Sequence, residues 1–272
     1  GTITLNSNIT TRGGVGGNGG VVTVLNDQGS IVANGVTNVS LGTGGAADGT
    51  IQMQAAGSIT GTGTFVGDTT GTLVARTTNT TGDGRISLPG GVLGTTTEAN
   101  TGNAMANAVF QTATLSTTAL DGSVRYLDST SLTIPTGTQG GQGNLSGIAD
   151  THAANGVSVV GGITTLAGGS SGSVTVGAGT ATAHTLTLTG AINTTPTNVA
   201  TAGGTVVLES AGGGITTTAA GTGTITTTGN TTGAGGEVFI HHIAGATGTI
   251  TLNSNITTRG GVGGNGGVVT VL

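Results

Sequence analysis

Two adjacent histidines, His241 and His242, are the residues of this chain that most resemble metal ligands, because imidazole nitrogens commonly bind metals. Neighbouring residues of a strand point to opposite faces. Both rings could therefore reach one metal only if the strand has already ended in a corner. Glu237 lies on the same segment, and no third ligand is evident. The pattern favours surface histidines after a strand at 238–240, and we predict no metal site.

Two further groups could support acid–base chemistry. Asp150 and His152 are separated by one residue, but no activated serine motif accompanies them, which argues against a catalytic triad. Asp121, Arg125 and Asp128 form the densest charge group. The alternatives there are a surface ion pair of small energetic value and the carboxylate pair of a glycosidase. The ion pair is favoured, so we predict no catalytic residue and no enzyme.

A glycine-rich segment at 14–19 satisfies G-x-G-x-x-G and recurs at 261–266. A dinucleotide site needs this loop to open a helix, whereas here a strand-like segment follows. The loop also lacks the carboxylates of a calcium-binding repeat, and dedicated Ca²⁺ sites need clustered oxygens. We therefore predict no cofactor.

Composition excludes several other classes. Glycine supplies 58 and threonine 60 of the 272 residues, whereas charged residues are only 6%. Cysteine and lysine are both absent, which rules out disulfides, thiol catalysis, Schiff-base lysines and the Walker phosphate loop. A net charge of -5 without a basic patch argues against nucleic-acid binding. No apolar run approaches the roughly 18 residues of a membrane helix, so no membrane insertion is predicted.

The elements that must carry these residues are β-strands. Val, Ile and Leu alternate with Thr, and β-branched residues favour the pleated surface of a sheet. Glycine on this scale would destabilise helices. Proline, with 3 residues, is too rare for a proline-rich disordered chain.

A short repeat supports this interpretation. Eight segments begin with a glycine and carry apolar residues at the second and fourth positions after it, while the third varies, as expected for a strand with one inner face. The second-position residues are expected to stack one above another in successive coils. The predicted core stack comprises Val22, Val24, Ile51, Met53, Leu73, Val124, Val174, Val176, Val206, Leu208, Val238, Ile240, Val269 and Val271.

The spacing of these segments averages about 27 residues if the two longest gaps hold two turns each. Short strands recurring at this interval are typical of a solenoid, in which each strand pairs with its equivalent in the next coil. We therefore predict an all-β fold, a parallel β-solenoid of about eight or nine coils per long repeat.

The long repeat is the clearest feature of the sequence. Residues 1–25 and 248–272 are identical, so the period is 247. We interpret 1–247 as one full repeat and 248–272 as the start of the next, within an excerpt of a longer tandem array. Two stretches break the pattern, at 95–120 and 135–156. Either they are irregular coils with longer corners, or they protrude as a lateral contact face; Met105 and Phe110 have a spacing compatible with a short helix.

The phrases GTITLNSNITTRGGVGGNGGVVTVL and GGTVVLESAGGGITTTAAGTGTITTTG resemble filamentous-haemagglutinin-like secreted exoproteins and repetitive autotransporter passengers. This resemblance implies a right-handed parallel β-helix, export across a Gram-negative envelope, and an extracellular role in adhesion or surface structure. The N-terminal secretion domain usual in that family has no counterpart in this sequence.

The predicted function is a structural extracellular fibre or adhesin segment. Its expected partner is the chain itself, through end-to-end continuity of repeats and lateral association, together with an unidentified glycan or cell-surface ligand. The alternative is a ligand-binding solenoid that binds ice or glycan through Thr-x-Thr faces such as 185–189 and 222–228. Ice binding needs threonines at the same position in every coil, and these pairs are irregularly placed in the sequence.

Overall fold

The structure is a computed structural model, and it describes residues 1–67, 69–79, 83–90, 102–112, 124–128, 131–135, 144–145, 149–153, 156–165, 172–179, 184–196, 201–211, 213–218, 222–242 and 248–272, with the backbone alone at 144–145 and 149–152. Within these residues every regular element is a β-strand and every strand pair is parallel. The all-β parallel solenoid predicted from the sequence is confirmed.

The strands are short and follow one another along the whole described chain. In order they are β1 (Ile3–Leu5), β2 (Ile9–Thr10), β3 (Val21–Asn26), β4 (Ile31–Ala33), β5 (Thr37–Asn38), β6 (Thr50–Ala55), β7 (Ile59–Thr60), β8 (Phe65–Val66), β9 (Thr72–Thr77), β10 (Ile86–Leu88), β11 (Asn107–Gln111), β12 (Val124–Asp128), β13 (Leu132–Ile134), β14 (Asn144–Leu145), β15 (Ala149–Ala153), β16 (Val157–Val159), β17 (Ile163–Thr165), β18 (Val174–Ala178), β19 (Leu186–Leu188), β20 (Ile192–Asn193), β21 (Val206–Ser210), β22 (Ile215–Thr217), β23 (Ile225–Thr226), β24 (Val238–His242), β25 (Ile250–Leu252), β26 (Ile256–Thr257) and β27 (Val269–Val271).

These strands form two long sheets and two short ones. The ten-stranded sheet has the order β1-β4-β7-β10-β12-β15-β18-β21-β24-β27, and the nine-stranded sheet has the order β25-β22-β19-β16-β13-β11-β9-β6-β3. A three-stranded sheet (β2, β5, β8) lies in the first part of the chain and a five-stranded sheet (β14, β17, β20, β23, β26) in the second. Paired strands of the ten-stranded sheet are 25 to 38 residues apart, whereas the sequence predicted an average of about 27 residues per coil.

Aliphatic side chains form continuous inner rows because equivalent inner positions pair from coil to coil. One row of the ten-stranded sheet comprises Ile3, Ile31, Ile59, Ile86, Val124, Val174, Val206, Val238 and Val269, and the backbone of Ala149 pairs between Val124 and Val174. In the five-stranded sheet Ile163, Ile192 and Ile225 form a similar row and are fully buried. Each coil buries few side chains, and the stacked rows make one core.

The prediction of a single stack of second-position residues is wrong, because the structure divides them between the two long sheets. Val22, Ile51 and Leu73 lie side by side in the nine-stranded sheet, whereas Val124, Val174, Val206, Val238 and Val269 belong to the ten-stranded sheet. Most of the fourteen residues are buried, including Met53, Val176, Leu208 and Ile240, but Val24 is half-buried. Val269 and Val271 are 43% and 44% exposed because no further coil covers β27.

Threonine and glycine close the corners before the long strands β18, β21, β24 and β27. The buried Thr194 hydroxyl donates to the Gly204 carbonyl over 2.9 Å, and Gly204 N–H donates back to the Thr194 carbonyl. The same hydroxyl-to-carbonyl bond recurs in the pairs Thr165–Gly172, Thr227–Gly236 and Thr258–Gly267. A Cβ on Gly204 would lie 1.9 Å from the Gly172 carbonyl oxygen of the preceding coil. A Cβ on Gly236 or Gly267 would be similarly close to a glycine carbonyl oxygen of the preceding coil, which explains why glycine occupies these three positions.

Most of the described coils share one local plan, which is a first short strand, a second short strand and a long strand; between β10 and β11 the second short strand is reduced to a single bridge at Ala104. Up to β10, the first short strand lies in the ten-stranded sheet and the long strand in the nine-stranded sheet, as in β1 and β3. From β12 onward the long strand lies in the ten-stranded sheet and the first short strand in the nine-stranded sheet, as in β24 and β25. The two long sheets therefore exchange roles between β10 and β12.

The two irregular stretches lie partly outside the described residues. Where 95–120 is described, it forms strand β11 of the nine-stranded sheet, not the short helix that the spacing of Met105 and Phe110 allowed. Both side chains are fully buried, so they belong to the core of a strand-built coil. In the 135–156 stretch, Ala149–Ala153 pairs with β12 and β18.

Candidate functional site: the inner polar cluster, the outer faces and the end coils

The histidine pair lies within a strand, because β24 extends through His242 and does not end at residue 240 as predicted. The Nε2 atom of His241 lies 3.3 Å from Glu209 Oε2. The His241 and Phe239 rings are also in contact, with their centroids 4.7 Å apart. His242 lies beside the buried Ser210, and its ring nitrogens are buried without a hydrogen-bond partner. Both imidazoles are half-buried. Among the described residues, no three metal-ligating side chains cluster.

The prediction that Asp128 belongs to a surface ion pair is wrong, because Asp128 is fully buried. Its Oδ2 accepts a hydrogen bond of 2.7 Å from the Tyr126 hydroxyl and one of 3.0 Å from Met105 N–H. Burial raises the pKa of Tyr126 well above its ordinary value, and the charge and hydrogen bonding of Asp128 raise it further. Arg125 is half-buried on the opposite side of the strand, and Asp121 lies outside the described residues.

Asn103 completes this inner polar cluster, which we define as Asn103, Tyr126 and Asp128. The fully buried Asn103 amide donates to the carbonyls of Leu88 and Leu127, at 3.0 and 2.9 Å, and its Oδ1 accepts from Phe65 N–H at 3.0 Å. It thereby joins three coils where the long sheets exchange roles. Sequence reasoning missed Asn103, since one asparagine among many gives no signal of burial.

The Asp150–His152 pair belongs to β15, between β12 and β18 of the ten-stranded sheet, and its side chains lie outside the described part of the structure. The backbone register places Asp150 beside Arg125 and Thr175. The structure therefore describes no arrangement of these side chains with a serine nucleophile.

The glycine-rich segment at 14–19 is a corner between β2 and β3. Asn18 Oδ1 accepts hydrogen bonds from Ala46 N–H at 2.9 Å and Ala47 N–H at 3.2 Å, in the next coil. Gly16 has a φ of 74°, and its counterpart Gly263 has a φ of 80°, a left-handed conformation that favours glycine. The segment thus connects coils and leads into a strand.

A row of hydroxyl side chains runs along the outer face of the nine-stranded sheet. Its members occupy paired positions in five successive strands, and they are Thr133, Ser158, Thr187, Thr216 and Thr251. Successive members are separated by the strand spacing of about 4.8 Å. Two residues of the Thr-x-Thr pairs, Thr187 and Thr216, belong to this row although those pairs are irregularly placed in the sequence. Variable coil length accounts for this, because the extra residues lie in corners and leave the strand register unchanged.

The two end coils, residues 1–25 and 248–272, present open sheet edges. In the first, Val15, Val21 and Leu25 are 95%, 63% and 53% exposed. In the second, Val262 and Leu272 are 85% and 70% exposed. Strands β1 and β3 each pair on one side only, as do β25 and β27. Their unpaired backbone groups are a template for a further strand.

In the described part of the chain there is no helix with the length and apolar character needed to span a membrane. No protein-family model matches the chain, and no curated protein or solved structure is similar enough to it to count as a match.

Proposed function

We propose that this chain is a unit of a structural fibre in which tandem β-solenoid repeats continue end to end. The observation that carries the proposal is the identity of the two end coils. One copy of the 25-residue segment packs against the coil that follows it, and the other packs against the coil that precedes it. Together the two copies supply both sides of a junction between repeats.

The inner rows remain continuous when the two copies are superposed. On one side of the shared coil, Ile215 pairs with Ile250 and Val238 with Val269. On the other side, the equivalent positions pair as Ile3 with Ile31 and Val22 with Ile51. A junction built this way places aliphatic residues against aliphatic residues in both long sheets. It also covers the open edges of the end coils with backbone hydrogen bonds.

We further propose an extracellular location on a Gram-negative bacterium and an adhesive or surface-structural role. The support is the resemblance to filamentous-haemagglutinin-like exoproteins, whose implied β-helix agrees with the coarse fold found here. Low charge, with 6% charged residues, also permits fibres to lie side by side with little electrostatic repulsion.

Proteins containing one, two and four copies of the 247-residue repeat test the fibre. We expect unbranched rods that lengthen by about 40 Å per repeat, from the strand spacing of about 4.8 Å per coil. We also expect a melting temperature that rises with repeat number, because end coils become a smaller fraction of the molecule. Electron microscopy and thermal denaturation provide the two measurements. Separate beads joined by flexible linkers, with a constant melting temperature, would contradict a continuous solenoid.

The outer hydroxyl row favours a second candidate function, the binding of ice. Regularly spaced hydroxyl groups on an ordered sheet could hold water in a lattice that matches a crystal face. If the chain binds ice, we expect thermal hysteresis in a seeded ice-growth assay. Thr216→Tyr should abolish this activity because it interrupts the hydroxyl row. Thr175→Tyr should retain it because Thr175 lies in the other long sheet. Ice growth unaffected by the unsubstituted chain rejects the candidate.

A further inference from the structure

The two identical end coils lie on exchanged sheets. Strand β1 belongs to the ten-stranded sheet, whereas its copy β25 belongs to the nine-stranded sheet. The long strand shows the reverse relation, since β3 lies in the nine-stranded sheet and its copy β27 in the ten-stranded sheet. One period of 247 residues therefore does not return the chain to the same face of the solenoid.

Local structure is conserved in spite of this exchange. Strands Ile3–Leu5 and Ile250–Leu252 are separated by the full period, as are Ile9–Thr10 and Ile256–Thr257. The left-handed glycines at 16 and 263 also correspond. The exchange consequently arises in how the coils stack, and each coil keeps its own conformation.

The exchange is located at one step of the ten-stranded sheet. The short strand β10 pairs with the long strand β12, so that Ile86 lies beside Val124 and Ser87 beside Arg125. Next to this step, the long strand β11 of the nine-stranded sheet contacts β12 across the core, where the rings of Phe110 and Tyr126 lie 5.1 Å apart. Two long strands, β11 and β12, are thus consecutive along the chain, and the inner polar cluster lies in the same two coils.

We propose that the next copy of the repeat docks on the end coil with the roles of the two long sheets exchanged, so that the fibre has a structural period of two repeats. This inference rests on the proposed fibre. One exchange occurs per repeat, and a second exchange restores the original arrangement. The structural period is therefore about 80 Å, twice the sequence period of about 40 Å.

The exchange determines which surfaces recur on each side of the fibre. Outward positions of the long strand, such as Thr23, lie on the nine-stranded sheet in one repeat, and their copies, such as Thr270, lie on the ten-stranded sheet in the next. Any lateral contact made by such a position alternates between two sides. Such a fibre has the same docking surface on both long sheets. Neighbouring fibres could therefore bind on either side of it and associate into layers.

The exchange step itself can be tested in the 272-residue chain, because it contains no cysteine. We expect a short thiol-bridging reagent to link Ser87→Cys to Arg125→Cys and to leave the pair Ser87→Cys and Thr133→Cys unlinked, as measured by mass spectrometry. Uniform stacking of short strands on short strands would instead place residue 87 beside residue 133. The pair Thr60→Cys and Ser87→Cys, whose positions adjoin in the structure, is the positive control.

Bridging between 87 and 133, or no bridging of 87 to 125 while the control pair reacts, would overturn the exchange. Circular dichroism of each variant verifies that it retains its strands. This outcome does not depend on fibre formation, because the chain is a single unit.

A four-repeat protein tests the consequence for the fibre. With Thr187→Cys in every repeat and a gold label on each thiol, we expect labels on alternating sides of the rod in electron micrographs. Labels along one side of an intact rod would overturn the two-repeat period while leaving the fibre in place. Failure to form rods would instead contradict the proposed function.

Discussion

Val206→Asp is expected to unfold the coils around β21, lowering the free energy of unfolding by about 4 kcal/mol or more. Val206 is fully buried between Val174 and Val238 in the inner row of the ten-stranded sheet. A carboxylate there would lie in a narrow aliphatic interior without a charged partner. Since each coil is supported only by its neighbours, the loss should spread along the solenoid. Val238→Asp, one coil further, is expected to behave in the same way.

Val207→Asp is the matched control for this prediction. Val207 is adjacent in the same strand but half-buried on the outer face, between Thr175 and Phe239. We expect this variant to retain the circular dichroism and protease resistance of the parent, with a loss of about 1 kcal/mol or less. Similar stability of the two aspartate variants in urea denaturation would show that β21 does not have the inner and outer faces described.

Asn103→Ala is expected to lower the free energy of unfolding by about 4 kcal/mol, because it removes three buried hydrogen bonds between its amide and the backbone. The backbone groups are the N–H of Phe65 and the carbonyls of Leu88 and Leu127. They belong to different coils, so the substitution loosens the step where the long sheets exchange roles. Denaturant unfolding monitored by circular dichroism measures the loss.

Asn34→Ala provides the comparison for an asparagine that also joins two coils. Its Nδ2 donates to Asn6 Oδ1 over 3.0 Å at an exposed corner, where water can replace the bond. The expected loss is about 0.5 kcal/mol. If the two alanine variants were equally stable, burial of Asn103 would not be what makes its hydrogen bonds important.

The sequence was sufficient to predict the class of fold because its signals are local. Alternating aliphatic and variable residues after a glycine indicate a strand with one inner face, and Val206 and Leu208 occupy such positions in the structure. The glycine before the strand could be recognised as a pattern in the sequence, but its physical cause could not. The structure shows that cause at Gly204, where the preceding coil leaves no room for a Cβ.

The candidate sites show where sequence reasoning fails. Asp128 appeared to be a surface charge because it lies near Asp121 and Arg125 in the chain, but the structure buries it against the preceding coil, where it accepts a hydrogen bond from Met105 N–H. The hydroxyl row at Thr187 and Thr216 was obscured by unequal coil lengths, which alter sequence spacing without altering strand register. In each case the deciding contact joins residues of different coils.

The two identical end coils show which features the sequence determined and which only the tertiary structure decided. Residues 1–25 and 248–272 form the same two short strands, followed in each by a long strand that includes the equivalent positions 22–24 and 269–271, because alternation, β-branching and glycine corners act within the segment itself. Their sheets differ, because the sheet of a strand depends on which strand it stacks against, and that depends on every coil in between. Inner positions are aliphatic in both long sheets, so Ile86 can pack against Val124 of a long strand as well as against an aliphatic residue of another short strand. Local chemistry therefore permits either stacking, and the packing around β10, β11 and β12 selects one.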